Sequence, residues 1–314
     1  MATYTAHSAV GQREDLTDVI YDISPTETPF MSSIGKTKAT AVFHEWQTDT
    51  LAAATTANAA VEGADASDAT LSPTVRLGNY TQIMQKTIKV SGTLDTVNKA
   101  GRKSEKAYQL AKASQEIKRD LETIMLSNQG RSAGDGSTAR KMGSLLSWIK
   151  TNSSAQTNGG DPTTIGVSTR TDGNTRTFTE ALLKEVVAEV FVSGGSPKIL
   201  MVGATGKQKV SSFTGIAETR FNVTGAAPST IIGAADIYVS DFGNMSVVPN
   251  RFMRTRDALI LDPEYAAIAY LRPFQTNELA KAGDADKTQI LVECTLEVKN
   301  EAAHGIVADL NMAL

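Results

Sequence analysis

The chain has a single cysteine, Cys294, among 314 residues. No disulfide can close within it, and nothing in the sequence calls for an oxidising compartment. Aromatic residues make up only 6%, so the core must be built from aliphatic side chains and alanine. No stretch approaches the roughly 18 consecutive apolar residues of a membrane-spanning helix, and no membrane partner is expected. Met1 to Ser8 lacks a basic region followed by an apolar core, so no signal peptide is expected either. The glycosylation patterns at Asn152, Asn222 and Asn244 then carry no meaning. There is also no excess of one charge: 31 Lys and Arg stand against 34 Asp and Glu, for a net charge of −3. A protein that wraps tightly around nucleic acid needs clustered cations to displace counterions. Near-neutrality instead suits a chain packed against many copies of itself, where a large charge would repel each added copy.

Recognisable chemistry is sparse. The run Gly203-Ala204-Thr205-Gly206-Lys207-Gln208 echoes a phosphate-binding loop, but Met201 stands where the first glycine is needed and Gln208 where a hydroxyl is needed. It reads better as a turn opening a short helix. His7, His44 and His304 are far apart and form no ligand pair, and Cys294 falls on a core-facing strand position. His304 reads as a buried structural histidine more readily than as an assembly contact or pH switch. Asp172-Gly173-Asn174 lacks calcium-loop spacing, and no serine sits in a Gly-x-Ser-x-Gly turn. No catalytic residue, cofactor or metal is expected. The cluster Lys99, Arg102, Lys103 and Lys106 fits either a nucleic-acid-facing or acidic-neighbour contact, or a solvated helix start.

The remaining sequence is patterned for structure. An arm covers residues 1 to about 37, with a short helix expected from Asp15 to Tyr21. Ser24-Pro25 and Thr28-Pro29 then force extended backbone, because a residue before proline avoids the helical region. A long hairpin is expected over 38–93, with strands Ala39 to Thr48 and Asn79 to Ser91 and a polar, small-residue tip from Leu51 to Ser72. An isolated two-stranded hairpin is marginal in water, and no second sheet for it is evident. Apolar residues at three- and four-residue spacing from Ala107 to Met125 predict a helix over 104–128, with Ser104 as its N-cap. Its pairs Lys112/Glu116 and Lys118/Glu122 read as solvated. Leu145 to Ile149 is a short apolar run between two glycine- and serine-rich loops. A second helix is expected over 179–192, with a capping box from Thr177 to Glu180. Strands are expected at 199–202, 237–239, 246–248, 259–261 and 267–271. The alternation from Ile290 to Lys299 predicts a final strand with one core face and one mostly polar face. The class is α+β, with helices packed on mostly antiparallel sheets.

Two runs carry a resemblance. One is Ile20-Tyr21-Asp22-Ile23-Ser24-Pro25-Thr26-Glu27-Thr28-Pro29-Phe30. The other begins Tyr270-Leu271-Arg272-Pro273-Phe274, continues through Glu278-Leu279-Ala280-Lys281, and ends Thr295-Leu296-Glu297-Val298-Lys299-Asn300-Glu301-Ala302-Ala303-His304-Gly305. Together with the order of arm, hairpin, long helix, α/β portion and final strand, they resemble the tailed-bacteriophage major capsid proteins. The resemblance implies that family's fold, which encapsulin shells share. It assigns 1–37 to an N-arm, 38–93 to an extended loop (the E-loop), and 94–174 to the first part of a P domain with its spine helix. It assigns 175–262 to an A domain and 263–314 to the returning strands of the P domain.

The function implied is structural: hexamers and pentamers tiling an icosahedral head around packaged double-stranded DNA. Portal, separate scaffolding and decoration proteins are the implied partners. The place is the virion, assembled in the host cytoplasm. A cellular encapsulin-type nanocompartment is the alternative. Phe30, Phe43, Trp46, Tyr80 and Met84 are expected as intersubunit anchors, since large apolar and aromatic groups dominate interface energetics. Some relatives cross-link an E-loop lysine to a neighbour. Lys86 and Lys89 lie in that segment, but no partner asparagine can be assigned, and no cross-link is expected.

Overall fold

A computed structural model describes residues 24–63, 65, 68–97, 101, 103–213, 236–281 and 283–312. The expected helix at Asp15 to Tyr21 lies outside them. In chain order the elements are α1 (Pro29–Ser33), β1 (Gly35–Lys38), β2 (Phe43–Thr48), β3 (Val75–Tyr80), β4 (Gln82–Ser91), α2 (Gly92–Thr96), α3 (Glu105–Met125) and α4 (Leu145–Trp148). There follow β5 (Ser153–Ser154), β6 (Arg176–Thr177), α5 (Glu180–Val192), β7 (Ile199–Val202), α6 (Ala204–Ser211), β8 (Ile237–Ser240) and β9 (Gly243–Pro249). The last are β10 (Ala258–Leu261), β11 (Ala266–Leu279), β12 (Ala285–Val298), β13 (Gly305–Val307) and β14 (Leu310–Asn311).

Two sheets carry the body. One has the order β1-β11-β12-β4, the other β5-β13-β10-β7-β9-β8. Two-stranded ladders β2-β3 and β14-β6 complete the set. The six-stranded sheet draws β5 and β13 from outside residues 175–262, so its strands come from three separated parts of the chain.

The long helix α3 starts as its sequence requires. The hydroxyl of Ser104 accepts the N–H of Ala107 at 3.3 Å. Its buried stripe is Ala113, Ile117, Leu121 and Met125, one residue per turn. This stripe lies on the four-stranded sheet against Ile290, Val292, Cys294 and Leu296. The short apolar run at 145 forms α4, wholly buried in the same core. A second core fills the space between α5 and the six-stranded sheet, with Leu183, Val186 and Val190 facing Leu200, Val202 and Ile260.

Three expectations are corrected. The returning strand of the hairpin is divided between two ladders: Val75–Tyr80 pairs with β2, and Gln82–Ser91 leaves it to pair along β12. The hairpin therefore has a second sheet after all. The switch occurs at Thr81, whose N–H closes the ribbon on Val42 O at 2.8 Å and whose hydroxyl donates to Glu293 at 2.8 Å. Second, the polar face expected along β12 is present but, from Ile290 to Val298, is buried like the core face. Third, Thr177 lies in β6, so no capping box forms. Thr179 is the N-cap of α5 without a side-chain cap bond, and Glu180 instead accepts from Tyr238 Oη at 3.1 Å.

The glycine-rich insert is held by two residues. Trp148 is fully buried against it, and a Cβ at Gly166 (φ +73°) would come within 2.7 Å of the indole. Asp309, itself at φ 60°, accepts N–H groups from Gly173 at 2.7 Å and Gln156 at 3.2 Å, and Arg256 at 2.7 Å. Aspartate is among the few residues that tolerate that left-handed backbone.

Candidate assembly surface

The β2-β3 ribbon is a ladder of its own, and its strands are stitched by side chains. Arg76 forks onto Glu45 at 2.6 and 2.7 Å. Phe43 and Tyr80 face each other across the ladder with ring centroids 4.6 Å apart. The Arg131 guanidinium stands 5.2 Å over the Phe43 ring and donates to Gly78 O. Gly78 is needed there, since a Cβ would meet the Phe43 ring at 2.8 Å. Beyond the ribbon, the described residues between 49 and 74 are exposed and form no helix or strand. Leu51 and Leu71 are 99% and 88% exposed. This matches the loose tip expected from composition.

The ribbon's root rests on the polar face of β12. Glu293 is buried and accepts from Thr81, from Arg140 at 2.7 Å and from Arg272 at 2.7 Å. Glu297 accepts from Thr37 at 2.7 Å and lies 3.3 Å from His44 Nε2. Asn79 donates to Leu296 O at 2.8 Å and Gly143 O at 3.1 Å, and accepts the Gly143 N–H at 2.8 Å. Buried carboxylates are tolerated only when paired and fully hydrogen-bonded. The alternating Glu, Thr, Glu pattern of β12, which reads as the strand's polar face, is this socket.

The arm is docked by a second buried carboxylate. Glu122 on α3 is fully buried and accepts the N–H groups of Phe30 at 2.7 Å and Met31 at 2.9 Å, with Asn250 Nδ2 at 2.7 Å. Pro29 opens α1, and Thr28 provides no side-chain cap. Glu122 therefore supplies from 92 positions away the acceptor that a local cap would. Burial pushes its carboxyl above the ordinary range, against the pull of those three donors. This corrects the solvated Lys118/Glu122 pairing. Glu116 is bonded to Lys86 at 2.8 Å.

Of the five expected anchors, Phe30 is wholly buried in the chain's own core and Met84 nearly so. Both side chains are packed within their own chain. Trp46 is half-buried, its ring 5.3 Å from that of Trp148. Phe43 and Tyr80 are half-buried on the ribbon. Lys86 is held by Glu116 and Asp120, and Lys89 stands opposite Lys287 in the ladder. Lys207 turns back to donate to Val247 O at 2.8 Å, so the Gly206-Lys207 pair opens a helix turn as read. Cys294 is buried, its thiol pushed up to about 12 by burial. His304 is fully buried, which removes it as an assembly contact. Of the basic cluster, Lys106 pairs with Glu278 at 2.6 Å, and Lys99 and Arg102 lie outside the described residues.

A long helix across one sheet, a separate two-stranded ribbon and an arm pinned to that helix define a capsid-type fold. The same fold is found in the cyanophage A-1(L) capsid asymmetric unit, with a TM-score of 0.67 and 10% identity over 98% of both chains. It also occurs in the holo-SrpI encapsulin complex from Synechococcus elongatus PCC 7942, with a TM-score of 0.58 and 11% identity over 97% of this chain and 94% of that one. Within that class, the chain belongs to the SU10 major capsid protein family, whose profile matches residues 2–311. It is also 28% identical to the major capsid protein of Escherichia phage Phieco32 over 97% of this chain and 96% of that one. The chain is thus a phage major capsid protein, a structural component of the virion and not an enzyme. The encapsulin-type nanocompartment is set aside by family, although the fold is shared.

Proposed function

We propose that copies of this chain form hexamers and pentamers that close an icosahedral head around packaged double-stranded DNA. The observation that carries this reading is the ribbon tip, whose exposed Leu51, Val61 and Leu71 have no core of their own. An exposed apolar segment on a long ribbon is a liability in a lone chain and an asset where a neighbour covers it. Such contacts join one patch to a different patch, which is the heterologous association that closed shells use. Phe43, Trp46 and Tyr80 are the remaining interface candidates. They sit where a covering neighbour would meet the ribbon, and Phe30 and Met84 drop out on burial.

In this reading 1–37 is the N-arm and 38–93 the E-loop. Residues 94–174 with 263–314 form the P domain, and 175–262 the A domain. Portal, a separate scaffolding protein and a decoration protein are the implied partners, and contact with DNA is non-specific. The test is electron microscopy of the chain expressed alone and with an adjacent scaffold gene. Closed shells or flat hexameric sheets are expected. A stable, compact monomer under both conditions would overturn the reading.

A further inference from the structure

We infer that β8, the outer strand of the six-stranded sheet, is a docking edge where an extended, basic-ended segment of a different protein adds as a further strand. The run Asp236-Ile237-Tyr238-Val239-Ser240-Asp241 alternates between two sides. Tyr238 is packed into the second core, so Ile237 and Val239 lie on the opposite face of the sheet. They are 60% and 72% exposed. Their backbone faces outward as well. Val247 N–H donates to Asp236 O at 2.8 Å, which turns the hydrogen-bonding groups of Asp236, Tyr238 and Ser240 toward β9. Those of Ile237 and Val239 therefore point away from the sheet, where no described strand pairs with them. Edges of this kind are usually blunted by a charge, a proline or a bulge. Apart from its shortness, β8 carries none of these between Asp236 and Asp241.

The other flank of the edge is also apolar. Phe242, in the turn after β8, stacks on Phe191 of α5 with ring centroids 4.6 Å apart, and both rings are partly exposed. A strand laid along β8 would set alternate side chains against Ile237 and Val239 and against the aromatic pair. Charge selects the occupant. Asp236 and Asp241 bracket the edge. Lys207 lies 3.1 Å from Asp236, and Lys184 is taken by Glu180 at 3.0 Å. Among the described residues no cation pairs with Asp241. A second β8 laid antiparallel would bring these aspartates of the two copies alongside each other, which is unfavourable. The basic strands of the chain fit no better. In β1 only Thr37 stands between Lys36 and Lys38, and in β4 Lys86 is held by Glu116 and Asp120. A partner segment with Lys or Arg at its ends and β-branched residues between them meets both requirements. The inference holds for the single chain and does not rest on the shell reading.

The test is peptide binding to the full-length chain. The probes are Arg-Val-Thr-Val-Thr-Val-Arg, its Glu-ended counterpart, and the Arg-ended peptide N-methylated throughout. The first should saturate below about 1 mM, and the Glu-ended probe should bind roughly fivefold more weakly. The N-methylated probe keeps side chains and charge but has no strand donors, and it should not saturate. Val239→Pro removes an outward N–H and leaves the ladder to β9 intact. It should weaken binding about tenfold. Should that variant fail to fold, the N-methylated probe still decides. No saturation by the Arg-ended probe, or equal binding of its N-methylated form, would overturn the proposal. Hydrogen exchange of the chain without peptide gives the second readout. The Ile237 and Val239 amides should exchange fast in the monomer and in any particle it forms. Protection in particles alone would assign the edge to a neighbouring copy, and protection in the monomer would assign it to the chain itself. Either result overturns the proposal.

Discussion

The carboxylate of Glu122 lies 2.7 Å from the backbone nitrogen of Phe30, a residue 92 positions earlier in the chain. One side chain thus joins the spine helix, the arm and, through Asn250, the loop after β9. Glu122→Ala would leave two buried N–H groups and one buried amide without acceptors. Each such group costs about 1–3 kcal/mol, and the costs are not additive. We expect a loss of about 3 kcal/mol in urea unfolding of the full chain. Glu122→Gln, which keeps one acceptor oxygen, should lose about half as much. Equal stability of wild type and Glu122→Ala would show that the arm helix is held by packing alone.

Glu293 should behave as the foundation of the ribbon. It is buried, but its partners Arg140 and Arg272 are 27% and 42% exposed and can recover water. Glu293→Ala should therefore cost about 2–3 kcal/mol, at the lower edge of what breaking a fully buried ion pair costs. Limited proteolysis gives the local readout. Cleavage within the ribbon root, near Thr81, should rise in the variant while cleavage within α5 stays unchanged.

The elements that carry a strong period were legible in the sequence. The helix at α3, its Ser104 cap, the strand at β7 and the final strand all follow from local pattern. What the sequence hid was the use of polar residues at a distance. Glu122, Glu293 and Glu297 look like surface carboxylates, because nothing in their neighbours announces donors 91 to 260 positions away. The same blindness explains the hairpin. Alternation along 79–91 shows that a strand exists, but it does not show that the strand changes partners at Thr81. Phe30 shows a related limit. Aromatic size marked out Phe30, but size serves a core as well as a contact, and only burial separates the two.

His304 makes acid stability a sharp observable. Burial pushes its imidazole down to about 4, and Nδ1 accepts the Asp262 N–H at 3.3 Å. The unfolded chain binds a proton there near pH 6.5, the folded chain only near 4. Between those values the unfolded state holds more protons, so stability falls as pH falls. The loss reaches about 3 kcal/mol by pH 4. His304→Asn keeps an acceptor for Asp262 and should flatten that slope while lowering stability at pH 7. An unchanged slope in the variant would assign the acid sensitivity to other groups.

Shortening the ribbon separates folding from assembly. The described residues of 51–72 are all exposed and contribute nothing to either core. Replacing them with a short Gly/Ser turn joins strands already held by the β2-β3 ladder, including the Arg76–Glu45 fork. A shorter loop also lowers closure entropy, by less than about 1 kcal/mol for a fewfold change in length. Urea unfolding of the shortened chain should therefore match wild type within about 1 kcal/mol. Assembly, followed by sedimentation and electron microscopy, should be lost, because the exposed apolar residues of the tip are what a neighbour would cover. Normal shells from the shortened chain would move the assembly contacts elsewhere, to the arm or to the apolar edge at Ile237 and Val239. Failure to fold would instead show that the tip supports its own subunit, contrary to the exposure of its described residues.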